Sequence, residues 1–343
     1  MHIINSLSRK LKVSIYHIEG KNKYGEKLII YHIGRKIIPD YFFKKFYLQM
    51  PKINVENEIY FWQLRKIKSL EQKAHLLFIK THKFLKFFFR NDFIIMPEYI
   101  RQTLDIDKNE ENIRKYFHKS LLNTGLRKIA KYKYTYEFSN NPSDIEFFYN
   151  RMLIPFVKKR HKIYAHIHSL EEVKKLSSLG ILFIKKDNKY VAGATLQKKD
   201  TTLVIRRIGV VDGDEVLFRE AVIAAIFYSL IKFAKENSYQ KVDFGFTVPI
   251  LSDGVLLYKN KWGMKIEYKP FDSSIFMLKI CQLNESLKRI LIDSPLITIS
   301  NNKLGAYIFS DRTPSATKII GTNITITQDY FRGLEYIRVR DLN

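Results

Sequence analysis

Between Gly180 and Phe246 the chain allows few arrangements. Ile181 to Lys185 and Tyr190 to Leu196 are β-type runs joined by Lys186-Asp187-Asn188-Lys189, a hairpin turn. Thr202 to Val211 is a third run, entered through Lys198-Lys199-Asp200-Thr201. The most regular helical pattern in the sequence follows, read as one helix from Val216 to Glu236, and then a short strand from Lys241 to Phe246. Strands so tightly joined pair antiparallel, and one long amphipathic helix next to them needs a sheet to cover. The fold class this implies is α/β, of the α+β mixed-sheet kind.

The flanks extend the series. Tyr134 to Phe138 reads as a strand. Asn140-Asn141-Pro142-Ser143 reads as a turn and helix start, leading into a helix from Asp144 to Val157. A second helix, Leu170 to Leu179, is stopped by Gly180. Downstream lie a short helix, Asp253 to Asn260, and strands at Met264 to Tyr268 and Ser274 to Leu278. The first hundred residues are less regular. Val13 to Ile18 and Lys27 to Ile33 are β-type, with Gly20, Gly25 and Gly34 as turn signals. Glu71 to Arg90 predicts a helix with apolar Leu76, Leu77, Ile79, Phe84, Leu85, Phe87 and Phe88. Its end interleaves bases with aromatics as single-strand binders do, although a buried amphipathic helix gives the same pattern. Asp105 to Lys133 is a helical stretch in which Arg114, Lys115, Lys119, Arg127, Lys128 and Lys131 recur. With 343 residues, and about 150 per domain, roughly two domains are expected. The expected division is 1–130, 131–295, and a β-rich extension 296–343 containing Ile297-Thr298-Ile299 and Ile324-Thr325-Ile326.

Composition narrows the function classes. Cys281 is the only cysteine, which excludes a disulfide framework and a cysteine zinc site. The longest apolar run, Ala221 to Ile231, falls short of the ~18 residues a membrane-spanning helix needs. The early charges Arg9, Lys10 and Lys12 leave no signal-peptide core, so the expected location is cytoplasmic, with peripheral contact at the inner membrane face left open. Lys and Arg total 59 against 34 acids, a net +25. Residues 1–160 carry 32 bases and 15 acids, or +17, and residues 161–343 carry 27 and 19, or +8. Such a field favours polyanionic partners, although Lys, Ile, Asn and Tyr together are also what an AT-biased genome produces.

The ordered set of segments resembles the GNAT superfamily of acyl-CoA N-acyltransferases, and within it the FemAB-like branch. The likeness runs over roughly residues 115–280. It is carried by Lys119-Ser120-Leu121 through Leu126-Arg127-Lys128, Phe147-Phe148-Tyr149, Tyr190-Val191-Ala192-Gly193-Ala194, Val242-Asp243-Phe244-Gly245-Phe246-Thr247, and Ser252-Asp253-Gly254 through Trp262-Gly263. The resemblance implies a GNAT-like fold, in that branch often as two tandem units. It also implies that two neighbouring strands splay apart, here after Gly209-Val210-Val211 and at Val242 to Gly245, to receive the arm of an acyl donor.

The same resemblance implies the site. Tyr258, in Leu257-Tyr258-Lys259, would protonate the leaving group, and Asp243 would take a proton from the incoming amine. Gly209, Val210, Val211, Gly213 and Lys259 would contact the donor. Arg206, Arg207, Gly245, Thr247 and Ser252 would contact substrate, and backbone amides near Gly245 or on the facing strand would hold an oxyanion. One departure stands out. The family loop runs Arg or Gln, two residues, Gly, one residue, Gly or Ala. Here Arg206 and Gly209 fit but Val211 does not, and Asp212, Asp214 and Glu215 put acids where a diphosphate would lie. Acyl-CoA is therefore one expected donor and aminoacyl-tRNA the other.

His161, His166 and His168 lack carboxylate or cysteine neighbours at ligand spacing, so no metal is expected. The function expected is transfer of an acyl or aminoacyl group to an amine of a glycan, peptide or lipid-linked acceptor, in cell-envelope or polysaccharide biosynthesis. The alternatives are a non-catalytic module binding RNA or an anionic surface, and a structural partner in envelope assembly.

Overall fold

A computed structural model describes residues 12–60, 63, 67–83, 92–161, 165, 167–268, 274–311 and 325–342. In chain order the first elements are β1 (Lys12–Lys21), β2 (Lys27–Gly34), α1 (Asp40–Phe46), β3 (Lys52–Tyr60), α2 (Lys68–Glu71), β4 (Leu76–His82), β5 (Ile94–Pro97) and β6 (Ile100–Asp105). Then come α3 (Glu110–Arg114), a wide π turn Leu121–Leu126 continuing into α4 (Arg127–Lys131), β7 (Thr135–Ser139) and α5 (Pro142–Phe147). A second π turn, Phe148–Leu153, leads to α6 (Ile154–His161) and α7 (Leu170–Leu176). β8 (Gly180–Lys186), β9 (Lys189–Lys199) and β10 (Thr202–Val210) follow, then α8 (Glu215–Arg219), α9 (Val222–Glu236), β11 (Lys241–Thr247), α10 (Gly254–Asn260) and β12 (Lys265–Glu267). The chain continues through β13 (Ser274–Ile280), α11 (Glu285–Ile292), β14 (Leu296–Ser300), β15 (Lys303–Ser310) and β16 (Tyr336–Asp341).

Two compact units share these elements. One comprises Met1–Ile100, Val248–Leu256 and Tyr268–Asn343, the other Arg101–Thr247 and Leu257–Glu267. The first holds a six-stranded sheet in the order β3-β1-β2-β4-β13-β5 and a three-stranded sheet β14-β15-β16. β2 runs parallel to β4, and β13 lies antiparallel to both β4 and β5. Helix α1 buries Phe42, Phe43 and Phe46, with the Phe42 ring 4.7 Å from Phe78 and 5.8 Å from Phe276.

The expected helix over Glu71–Arg90 is not formed: Leu76 to His82 is a central strand, and residues 84–91 lie outside the described ones. The reason is burial on both faces. Leu76, Leu77, Phe78 and Ile79 are all within 1% of fully buried. A strand covered on both sides loses its alternation and reads as a continuous apolar run. Of the expected C-terminal β segments, Ile297-Thr298-Ile299 lies within β14. Thr325 makes only a bridge, and Ile324 is outside the described residues.

The second unit carries the seven-stranded sheet β12-β6-β11-β10-β9-β8-β7. Strands β7 to β10 are antiparallel neighbours in sequence order, and β10 is parallel to β11. Strand, helices, three antiparallel strands, helix, strand is the GNAT-like order that the sequence resemblance implies. Helix α9 lies on this sheet, with Ile226, Leu230 and Ala234 wholly buried in a core shared with Leu182, Ala194, Leu203 and Val242.

The long helix expected from Val216 to Glu236 is broken in two. Ala221 takes a left-handed conformation, φ 68°, between α8 and α9. The break is tied down locally: Lys128 Nζ donates to the Arg219 carbonyl at 2.7 Å, and Lys186 pairs with Glu220 at 2.7 Å. A left-handed alanine costs about 1–2 kcal/mol that a glycine avoids. Ala221→Gly should therefore raise unfolding stability by about 1 kcal/mol in denaturant titration, and Ala221→Val should lower it. A loss of stability on Ala221→Gly would contradict this backbone.

Candidate active site

The site is built where β10 and β11 part. Their parallel pairing covers Thr202↔Lys241, Leu203↔Val242 and Val204↔Asp243, and no pairing continues toward Val210 and Thr247. Past that point the two strands are no longer paired with each other, although a Cβ on Gly245 would still come within 3.4 Å of the Ile205 carbonyl. Gly245 sits on the β11 side at φ 78°, where a side chain would be strained.

On the β10 side a bulge re-aims the chain. Ile205 pairs with Leu196 and Ile208 with Ala194, so Arg206 and Arg207 together stand opposite Thr195. The Arg207 N–H donates to Thr195 Oγ1 at 2.9 Å, and its guanidinium bonds the Arg206 carbonyl (2.8 Å) and the His168 ring. Arg206 Nε donates to Gln197 Oε1 at 2.5 Å. Burial lowers the pKa of both guanidinium groups, and their like-charged neighbours add to the effect: Arg101 for Arg206, and Arg206 for Arg207.

Asp243 stands at the fork, only 4% exposed. One carboxylate oxygen accepts from the Gly245 N–H at 2.8 Å, and the other is ion-paired with Arg101 of β6. The Arg101 guanidinium lies 4.5 Å from the ring centre of Phe246, which is 49% exposed. With both oxygens so held, the carboxylate fixes Arg101 and the Gly245 turn. The same bond engages the Gly245 N–H that was expected to face an oxyanion.

Thr247 donates to Gln102 Oε1 (2.8 Å), and Gln102 Nε2 donates to Asn260 Oδ1 (2.8 Å). The buried Lys259 ammonium donates to Thr247 Oγ1 at 3.0 Å and to the Phe246 and Gly245 carbonyls at 3.2 and 3.4 Å. Lys259 is thus part of the fork's interior, holding the carbonyls of β11 from α10. Tyr258, beside it, packs edge-on to Phe227 of α9 at 5.4 Å. Burial raises its phenol well above the ordinary value, so the hydroxyl keeps its proton.

The remaining candidates are distributed differently. Gly209 is where the second π turn crosses β10: a Cβ there would come within 2.8 Å of the backbone at Met152 and Leu153. Val210 ends the strand. Val211 to Gly213 form a tight turn with Asp212 and Gly213 at φ 51° and 58°. Asp212 pairs with Arg151 at 3.2 Å, and the Asp214 side chain accepts from the Val216 N–H at 2.8 Å, capping α8. With the α8 cap and the turn supplied from within, these residues do not fit the diphosphate of coenzyme A. Ser252 belongs to the first unit, where it accepts from Lys45 Nζ and donates to the Asp293 carbonyl, both at 2.8 Å.

Arg101 and Gln102 are absent from the sequence-derived candidates. Their only signal was a short β-type run after Pro97. Among the described residues no cluster of three metal-ligand side chains forms, and no helix is long and apolar enough to cross a membrane. His166 lies outside the described residues, and His168 serves Arg207.

No family model matches the sequence, and no curated protein gives a significant match. Solved structures overlap it at low identity. FemX does so at 15%, over 80% of this chain and 85% of its own, with a TM-score of 0.43. L-PGS from Bacillus licheniformis gives 11%, 80%, 87% and 0.38. A GCN5-related N-acetyltransferase from Sphaerobacter thermophilus gives 9%, 79%, 79% and 0.35. Overlaps of this grade carry no assignment of substrate.

The Arg101–Asp243 pair should be energetically coupled. Arg101→Met alone leaves a buried carboxylate uncompensated, so it should destabilise more than Arg101→Met combined with Asp243→Leu. A double-mutant cycle in urea should return a coupling of about 1–3 kcal/mol. Additive single effects would show that the pair does not hold the fork.

Proposed function

We propose that this protein is an N-acyltransferase. It moves an acyl or aminoacyl group from an activated ester or thioester to an amine, the acceptor being a glycan, peptide or lipid-linked precursor of the cell envelope. The observation that carries the reading is the fork: two parallel strands paired over three residues and then unpaired, with polar side chains gathered at the parting. The open backbone edges can hydrogen-bond an extended donor arm as a sheet binds an added strand.

In this reading the amine nitrogen attacks the donor carbonyl, and a C–N bond forms as the carbonyl π pair moves to oxygen. Collapse breaks the C–O or C–S bond. Tyr258, neutral because burial disfavours its phenolate, gives its proton to the departing oxygen or sulfur. Asp243 acts as a positioning group, since both its oxygens are already accepting hydrogen bonds from within the fork. The proton lost by the amine then goes to water or to the acceptor itself. Between the two donors, aminoacyl-tRNA suits the geometry better: the fork can take an acyl arm, whereas the acids after Val211 stand where a coenzyme A diphosphate would lie.

A second reading rests on a different observation. From residue 112 to 136 there are seven Lys or Arg and no acid. Arg114, Lys115, Lys119, Arg127, Lys131 and Lys133 are exposed. A basic surface of this kind would serve a module that binds RNA or an anionic membrane without turnover.

Tyr258→Phe should lower single-turnover transfer from aminoacyl-tRNA or an acyl thioester by about 10²–10⁴-fold, with little change in donor binding. A raised phenol pKa keeps the acid form through the ordinary titration range of tyrosine, so wild-type activity should show no alkaline loss near pH 10. Salt-sensitive tRNA binding with no transfer from either donor would favour the module and sink the enzyme.

A further inference from the structure

The first unit carries an exposed patch for which its core gives no reason. β1 and β2 pair as a hairpin with its tip at residues 21–27, and the loop after α1 lies against that tip. The two are hydrogen-bonded together. The Lys23 N–H donates to the Phe46 carbonyl at 3.2 Å, and the Leu48 N–H donates to the Lys21 carbonyl at 3.0 Å. Tyr47 and Pro51 are buried at the two ends of the loop, and the Tyr47 hydroxyl donates to the Ile18 carbonyl at 3.1 Å. Between these anchors Leu48, Gln49 and Met50 all face solvent, with Leu48 60% and Met50 48% exposed. A single exposed leucine needs no explanation. Two long aliphatic side chains held out by a braced loop do, and Tyr24 at the hairpin tip is exposed beside them.

Charge around the patch has one sign. Residues 20–27 and 44–52 hold six lysines and one acid, Glu26. Lys21, Lys23, Lys44 and Lys52 are exposed, while the Glu26 carboxylate accepts from Ser286 Oγ of α11 at 2.8 Å. Arg289 of α11 adds a guanidinium 5.8 Å from the Tyr24 ring centre. Burial lowers the pKa of Lys45, and the nearby Lys23 ammonium adds to the effect.

We infer that this braced knuckle docks the protein on an anionic lipid bilayer. Leu48 and Met50 enter the boundary between headgroups and acyl chains, and the lysines beside them meet the lipid phosphates. An apolar pair alone fits a protein partner, and lysines alone fit any polyanion. An anionic bilayer offers negative charge and a continuous apolar layer beneath it. Lysine suits that boundary, because its apolar stem can lie along the acyl chains while the ammonium stays among the headgroups. The hydrogen bonds that already fix the loop limit the freedom lost on docking. The inference deepens the transfer reading in one respect, by favouring the lipid-linked acceptor. Attachment itself needs no transfer activity.

Co-sedimentation with vesicles tests it without any transfer assay. Vesicles of phosphatidylcholine with about one-third phosphatidylglycerol should bind the protein about tenfold or more tighter than pure phosphatidylcholine. Leu48→Ser combined with Met50→Ser should weaken binding to the anionic vesicles by about tenfold or more. Lys21→Gln combined with Lys44→Gln should do the same, whereas Lys198→Gln combined with Lys199→Gln, an equal loss of charge at the exposed end of β9, should bind as wild type. Leu48→Trp should add an emission that shifts to the blue when vesicles are added, which attachment by charge alone does not give. All these side chains are exposed, so thermal unfolding should match wild type. Absence of binding to anionic vesicles, or wild-type binding by the variant with both Leu48→Ser and Met50→Ser, would overturn the surface. So would loss of binding that follows only changes in the basic stretch 112–136, or self-association in solution that the two serine changes abolish, which makes this face an interface between copies. Vesicle binding in a protein that transfers no acyl group leaves this inference standing and removes the enzyme reading. Transfer by a protein that binds no vesicle does the reverse.

Discussion

A parallel pair that stops after three residues is the constraint on which the second unit turns. Val204 and Asp243 are the last partners, and beyond them β10 and β11 do not pair. On β10 the bulge at Arg206-Arg207 shifts the register with β9, and on β11 Gly245 adopts a left-handed conformation beside the Ile205 carbonyl. Asp243 ties this turn to β6 through Arg101, and Lys259 ties the β11 carbonyls to α10. The β11 backbone at the end of the pairing is therefore tied from β6 and from α10. Each tie is a buried polar contact that would cost free energy if left unpaired.

Where β10 and β11 stop pairing, side chains take over several of the backbone groups: Asp243 accepts from the Gly245 N–H, Lys259 donates to the Gly245 and Phe246 carbonyls, and Thr195 accepts from the Arg207 N–H. The polar side chains at the fork are a buried ammonium and guanidinium groups around one carboxylate, while Tyr258 packs on Phe227 beside Lys259. None of them is a metal-ligand set.

Much of the second unit was legible because its signals were local. The Asp187-Asn188 turn fixes the β8–β9 hairpin, both residues adopting positive φ, 49° and 59°. Asn141 followed by Pro142 marks the start of α5, and Gly180 at φ 137° closes the segment after α7. What was misread depended on tertiary context. Leu76 to Ile79 look the same in a buried helix and in a strand covered on both faces. The break at Ala221 has no glycine or proline to announce it, and is fixed by Lys128 and Lys186 from elsewhere in the chain. Asp243, Tyr258 and Arg206 came from a motif. Arg101 could not, because its importance lies in a partner 142 residues away.

The most direct measurement of the central claim is amide hydrogen exchange across residues 205–210 and 244–247, with and without a non-hydrolysable aminoacyl-tRNA analogue or an acyl thioester. A donor arm lying in the fork predicts slower exchange in both segments. The paired amides at Leu203 and Val242 should change little. Unchanged exchange on both sides of the fork at saturating donor, or protection confined to the basic stretch 112–136, would contradict the account.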